Sequence, residues 1–165
     1  PNLLRINLDI KSVTTSVPGG AGGTLAGVAM TEDQKTESNR IAAILGQNPN
    51  PCAQGQTVNC VNFNGLQQST ITGLHNLSAA CSGCTIRITG GTEPGHSENS
   101  VHNTGTAVDI SGNPALSSFI TTGRTPVQTQ WGPVYTVPIN GTNVRFLDES
   151  ANAPGSTGAH WHVSF

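Results

Sequence analysis

Five short segments in which apolar and polar residues alternate, at residues 84–90, 108–111, 135–139, 144–147 and 160–165, are cut apart by Gly, Asn and Pro turns. Alternation with period two places one side of each segment on a core, so the segments read as strands. Helical patterns lie mainly ahead of them. Thr31 and Gln34 have capping-box spacing, with Glu32 and Asp33 in the first turn, Ile41, Ala42 and Leu45 on one face, and Gly46 as the stop. Leu66, Thr70, Leu74 and Leu77 recur at three and four residues across 64–80, and Asn113 with Pro114 opens a third helix that runs to Thr122 before Gly123. Helices followed by strands imply an α+β fold: a small antiparallel sheet flanked by about three helices, with disulfide-tied loops. The 165 residues make one domain. Residues 1–30, with a Gly-rich linker at 18–27, form an arm, and residues 31–165 form the domain proper.

Charge excludes several classes of function. Seven Lys plus Arg stand against nine Asp plus Glu, only 10% of the chain, so there is no basic footprint for nucleic acid or for an anionic membrane surface. No apolar run reaches the length of a membrane span, and the start at Pro1 reads as that of a processed product. Cys52, Cys60, Cys81 and Cys84 are an even set in a short, lysine-poor chain, which points to two disulfides and an extracytoplasmic setting. Local closure pairs Cys52 with Cys60 and Cys81 with Cys84. A four-thiolate zinc site is the competing reading, and the gap between Cys52 and Cys60 fits it poorly.

Four of the five histidines fall in two stretches. In the first, His102 precedes Asp109 by seven residues, with Gly105 easing the turn between them and small Ala107 allowing close packing. In the second, His160 and His162 flank Trp161, so a strand presents both imidazoles on one face and the indole on the other. Catalytic zinc takes three protein ligands and keeps a position for water. His102, Asp109 and one of the terminal pair supply the three, and the remaining histidine sits near the water to accept its proton or stabilise an oxyanion.

Residues 100–109, SVHNTGTAVD, contain SxHxxGxAxD, and residues 160–162 are HxH. In these two motifs the chain resembles the zinc D-alanyl-D-alanine metallopeptidases, which share a small antiparallel-sheet fold with lysostaphin-type peptidases and hedgehog domains. The resemblance covers roughly residues 85–110 and 158–165. It implies that His102, Asp109 and His162 bind Zn²⁺, that His160 is the catalytic histidine, and that the substrate is a peptidoglycan stem or cross-bridge peptide.

Two positions depart from the family. The Ser-Gly-Tyr-Arg type segment whose arginine holds a substrate carboxylate reads Thr89-Gly90-Gly91-Thr92 here, which puts terminal trimming in doubt and makes endopeptidase cleavage an equal expectation. Arg87 is close by on the strand and stays a candidate substrate contact with Ser100 and His96. Ala159 stands where several relatives carry a glutamate, which leaves the HxH histidine as base and Asp148, Glu149, Glu93 or Glu98 as the supporting carboxylate.

The blander readings assign His75 and His96 to the surface, Trp131 and Tyr135 to core or turn packing, and Ser100 equally to a turn cap. Sequons at Asn76 and Asn140 decide nothing. The alternative function is a catalytically silent zinc module of a cell-envelope or pilus-like assembly, joined through the arm. A redox role for Cys81 and Cys84 lacks the strand-helix context it needs.

Overall fold

The computed structural model describes residues 52–53, 56, 59–63, 65–149 and 158–165. Six antiparallel strands form one sheet in the order β1-β2-β6-β5-β4-β3: β1 Ile88–Gly90, β2 Ala107–Ser111, β3 Val127–Thr129, β4 Gly132–Ile139, β5 Thr142–Glu149 and β6 His160–Ser164. Two helices, α1 (Gln68–Ala80) and α2 (Pro114–Thr121), accompany it among the described residues. The expected α+β class holds, with two of the three expected helices among the described residues. The helix expected at residues 31–46 and the arm at 1–30 lie outside the described residues.

One face of the sheet builds the core. Val108 and Ile110 of β2, Trp161 and Val163 of β6, Val144 and Phe146 of β5, and Val137 and Ile139 of β4 are buried with Ile71, Leu74 and Leu77 of α1 and Leu116 and Ile120 of α2. Trp161 faces this core as alternation requires; its Nε1–H donates to Ser117 Oγ (3.2 Å) and its ring meets Tyr135 edge-on (5.9 Å). The apolar helix stripes thus cover one sheet face, and no described helix packs on the other.

Local chemistry sets the element boundaries. Asn113 Oδ1 accepts the Leu116 N–H (3.0 Å) and Pro114 takes the first turn of α2, as the cap pattern predicts. α1 starts at Gln68 rather than at residue 64. No side chain caps it; the Gln67 N–H (2.9 Å) and the Thr70 hydroxyl (2.7 Å) both donate to the Gly105 carbonyl, so the helix begins where it meets the His102–Asp109 loop. The β4–β5 hairpin turns on Asn140 and Gly141, both at positive φ (47° and 79°), the geometry that the right-handed twist of paired strands favours.

Cys52 is paired with Cys60 and Cys81 with Cys84, with no free thiol among the described cysteines. The Cys52 N–H donates to the Val61 carbonyl (3.0 Å), so the first pair closes a small loop against the core residues Val61 and Phe63. No described helix is long and apolar enough to cross a membrane.

Candidate metal centre

Strand register brings the two histidine stretches together. In the antiparallel pairs, Asp109 of β2 stands opposite His162 of β6, which stands opposite Leu147 of β5. The adjacent rung toward one side is Ser111, His160 and Glu149; toward the other it is Ala107, Ser164 and Arg145. Residues paired in a rung share a face, and alternation puts all three rungs on the face away from the helices. His102 reaches this face from a single 3-10 turn, Val101–Thr104, which Ser100 caps by accepting the His102 N–H (3.3 Å). Ser100 therefore has the turn-capping role.

His102 Nε2, His162 Nδ1 and Asp109 Oδ1 form a nearly equilateral triangle with sides of 3.0, 3.1 and 3.1 Å. Three donors around a tetrahedral ion at 2.0–2.1 Å would be about 3.3 Å apart. The protons also argue for a cation. His102 Nδ1–H donates to the Gly91 carbonyl (2.6 Å), which leaves Nε2 with only its lone pair, aimed at a carboxylate oxygen and at a second imidazole nitrogen. Three electron-pair donors that meet in this way can hold a metal ion. With no cation bound, protonated rings take its place: burial opposes the charge of Asp109, but hydrogen bonds from His102 and His162 and the charges of His102 and His160 in their protonated forms outweigh it and hold the carboxyl well below the usual range.

The loop before β2 is built around this triangle. Glu93 accepts the N–H groups of Asn62 (2.9 Å) and Gly91 (2.9 Å), and Gly91 in turn positions His102 through its carbonyl. Burial resists the Glu93 charge, while His96 and those backbone N–H groups favour it and set its pKa lower than ordinary. His96 does not sit on the open surface: its ring stacks on His102 with centroids 3.8 Å apart and planes 6° apart, and Nε2 lies 3.4 Å from Glu93 Oε1. Glu93→Gln should lower the melting temperature by several degrees, on the order of 1–2 kcal/mol. Because the folded pKa is depressed, the Glu93 contribution is present above the ordinary carboxylate pKa and fades as pH falls below it. A thermal melt series from pH 7 to pH 3 should then show a shallower acid limb for the variant than for the native chain.

Gly105 has φ +70°, and a Cβ there would collide with the Gly65 carbonyl oxygen. Gly105→Ala combines backbone strain with a clash against main chain, for a loss of about 3 kcal/mol that calorimetry would register as a fall of roughly 10 °C.

His160 lies beside the triangle. Its Nε2 is 2.9 Å from Glu149 Oε2 and 3.6 Å from Asp109 Oδ1, and its Nδ1 is 2.7 Å from the Gly158 carbonyl. Both ring nitrogens thus face oxygen acceptors, and Glu149 is the carboxylate that supports the histidine. Of the other carboxylate candidates, Glu93 serves the His102 loop, Glu98 is exposed, and Asp148 is paired across from Trp161 in the intervening register. No family model, curated protein or solved structure matches the chain.

The remaining candidates distribute unevenly. Arg87 is exposed next to β2, where its carbonyl accepts the Ser111 N–H (2.9 Å), and it has no contact with the triangle. His75 on α1 is half-buried rather than exposed, with Nε2 lacking a hydrogen-bond partner. Trp131, expected in a core or a turn, is half-exposed at the β3–β4 turn and lines a groove of about 210 Å³ with His162. β3 and this groove were not foreshadowed by the sequence: Val127, Gln128 and Thr129 are all exposed, so no alternation marks the strand.

Proposed function

We propose that the chain is a zinc-dependent peptidase that cleaves the stem or cross-bridge peptides of bacterial peptidoglycan in an extracytoplasmic setting. The observation that carries the reading is the three-donor triangle of His102, Asp109 and His162 on the sheet face away from the described helices, with the His160–Glu149 pair on the next rung. Two further features support it. The order of the SxHxxGxAxD and HxH motifs is similar to that of the zinc D-alanyl-D-alanine metallopeptidases, and two disulfides suit an oxidising compartment.

Zinc bound by the triangle would supply Lewis acidity, activating water and polarising the scissile carbonyl. The protein's own part falls to four groups. His102 and His162 donate lone pairs from rings whose orientation the sheet and the Gly91 carbonyl fix. Asp109 contributes negative charge and holds both rings in place. His160, fixed between Glu149 and Gly158, holds a proton at Nε2 beside the reacting atoms, where it stabilises negative charge on oxygen or passes the proton to the departing amine. Glu149 keeps that imidazole oriented.

Mass spectrometry of purified peptidoglycan incubated with the protein tests the proposal. New peptide fragments that vanish with chelator and return with zinc are the expected result, and their masses name the bond. Intact walls of several chemotypes, with one metal tightly held by the protein, would overturn the enzyme in favour of a silent zinc-binding module of an envelope assembly.

A further inference from the structure

The groove beside the triangle has a composition that the proposed chemistry does not use. It starts at His162 and Ser164 on β6, crosses Arg145 and Leu147 on β5 and Val134 on β4, and ends at Trp131 in the β3–β4 turn. Val101, 41% exposed, and Trp131, 50% exposed, contribute apolar surface beside the buried Val134 and the half-buried Leu147. Into this apolar surface projects one cation. Arg145 is exposed, and its guanidinium makes no hydrogen bond or ion pair among the described residues. The carboxylates nearest the metal centre are already committed, Asp109 to His102 and His162 and Glu149 to His160.

We propose that this groove is a subsite for an extended peptide segment that bears an acidic side chain, and that Arg145 reads its carboxylate. The inference rests on the reading of the centre as one that receives peptides. Register supplies the spacing. Arg145 is two residues along β5 from Leu147, the residue paired with His162, which is about 7 Å along the strand, or two residues of an extended ligand. From β6 to β3 the sheet spans three strand spacings, on the order of 14 Å, the length of about four extended residues. Arg145 lies one rung to one side of the His162–Leu147–Val134 rung and Trp131, next to Gly132, lies on the other side, so a ligand that spans the groove from Arg145 to Trp131 crosses that rung beside the metal centre. A planar guanidinium pairs with a carboxylate through two parallel N–H···O bonds, and flanking apolar walls strengthen such a pair by excluding water. Arg145 is thus a specificity residue one rung away from the reacting atoms.

Calorimetric titration with three pentapeptides tests the assignment: one amidated with an internal glutamate, one amidated with glutamine in its place, and one with glutamine and a free terminal carboxylate. Each is titrated into the native chain, Arg145→Lys and Arg145→Gln, with the metal removed and with zinc added. The expected result is that the glutamate peptide binds the native chain about tenfold or more tightly than the glutamine peptide, with or without metal. Arg145→Gln should abolish this preference and Arg145→Lys should keep part of it, with unchanged melting temperatures because the side chain is exposed. Equal binding of glutamate and glutamine peptides, or a preference that survives Arg145→Gln, overturns the proposal. So does a preference confined to the free terminal carboxylate. Peptidoglycan cleavage without the glutamate preference would remove this subsite and leave the peptidase; the preference without cleavage would do the reverse.

Discussion

Alanine at His102, Asp109 or His162 is expected to abolish turnover and to release the metal, with kcat/KM falling at least a thousandfold, about 4 kcal/mol of transition-state stabilisation. The three donor atoms lie at mutual distances of 3.0–3.1 Å, so each variant removes one corner of the three-donor set found among the described residues. His160 Nε2, 3.6 Å from Asp109 Oδ1, is held by Glu149. Elemental analysis after dialysis should find close to one zinc per native chain and almost none per variant. Melting temperature gives an independent readout. A ligand that binds only the folded state at a thousand times its Kd adds about 4 kcal/mol of stability, so zinc should raise the native transition and leave the variants unmoved. A His102→Ala chain with native zinc content and activity would sink the assignment.

The second large effect separates chemistry from metal binding. His160→Ala should retain its zinc and its fold and lose a factor of about 10²–10⁴ in kcat, the range for removal of a proton-transfer group. Glu149→Gln should lose less, about tenfold to a hundredfold, because the imidazole remains and only its orientation and charge support weaken. Glu149 acts through His160, so the two losses should not add: the double variant should be about as slow as His160→Ala alone. Steady-state kinetics on the four chains, read with their zinc content, checks this. Additive losses, or zinc missing from His160→Ala, would show that His160 is not the proton-handling group.

The parts of the centre visible in the sequence are those set by local spacing. The two histidines of β6 share a face because a strand alternates, and Gly105 between His102 and Asp109 marks the turn it makes at φ 70°. The cysteine pairs are likewise local, eight and three residues apart. Features set by register were hidden. Glu149 meets His160 only because β5 and β6 pair with one particular offset, and no rule of spacing selects it over Asp148. His96 reads as a surface residue until the loop folds its ring onto His102. Trp131 follows a strand too short and exposed to show a pattern, so the groove it closes had no signal in the chain. The early start expected for α1 fails for the same reason: the helix begins where Gln67 and Thr70 meet Gly105, a contact across 35 residues or more.

β6 is last among the described strands in chain order and yet central in space, between β2 and β5. Before it inserts, the sheet consists of two separate halves, β1–β2 and the meander β3–β4–β5, and each half presents an unpaired edge to solvent. Insertion of those five residues closes both edges and delivers His160 and His162 in the same event, joining Asp109 to a partner 53 positions away. Completion of the sheet and assembly of the centre therefore depend on the same strand, and a pairing of such long range is expected to form slowly, because the loop between its partners must close first. Until then the newly made chain exposes two edges open to intermolecular pairing. An ion held by the triangle would accordingly favour the inserted strand and shorten the interval in which chains can cross-pair.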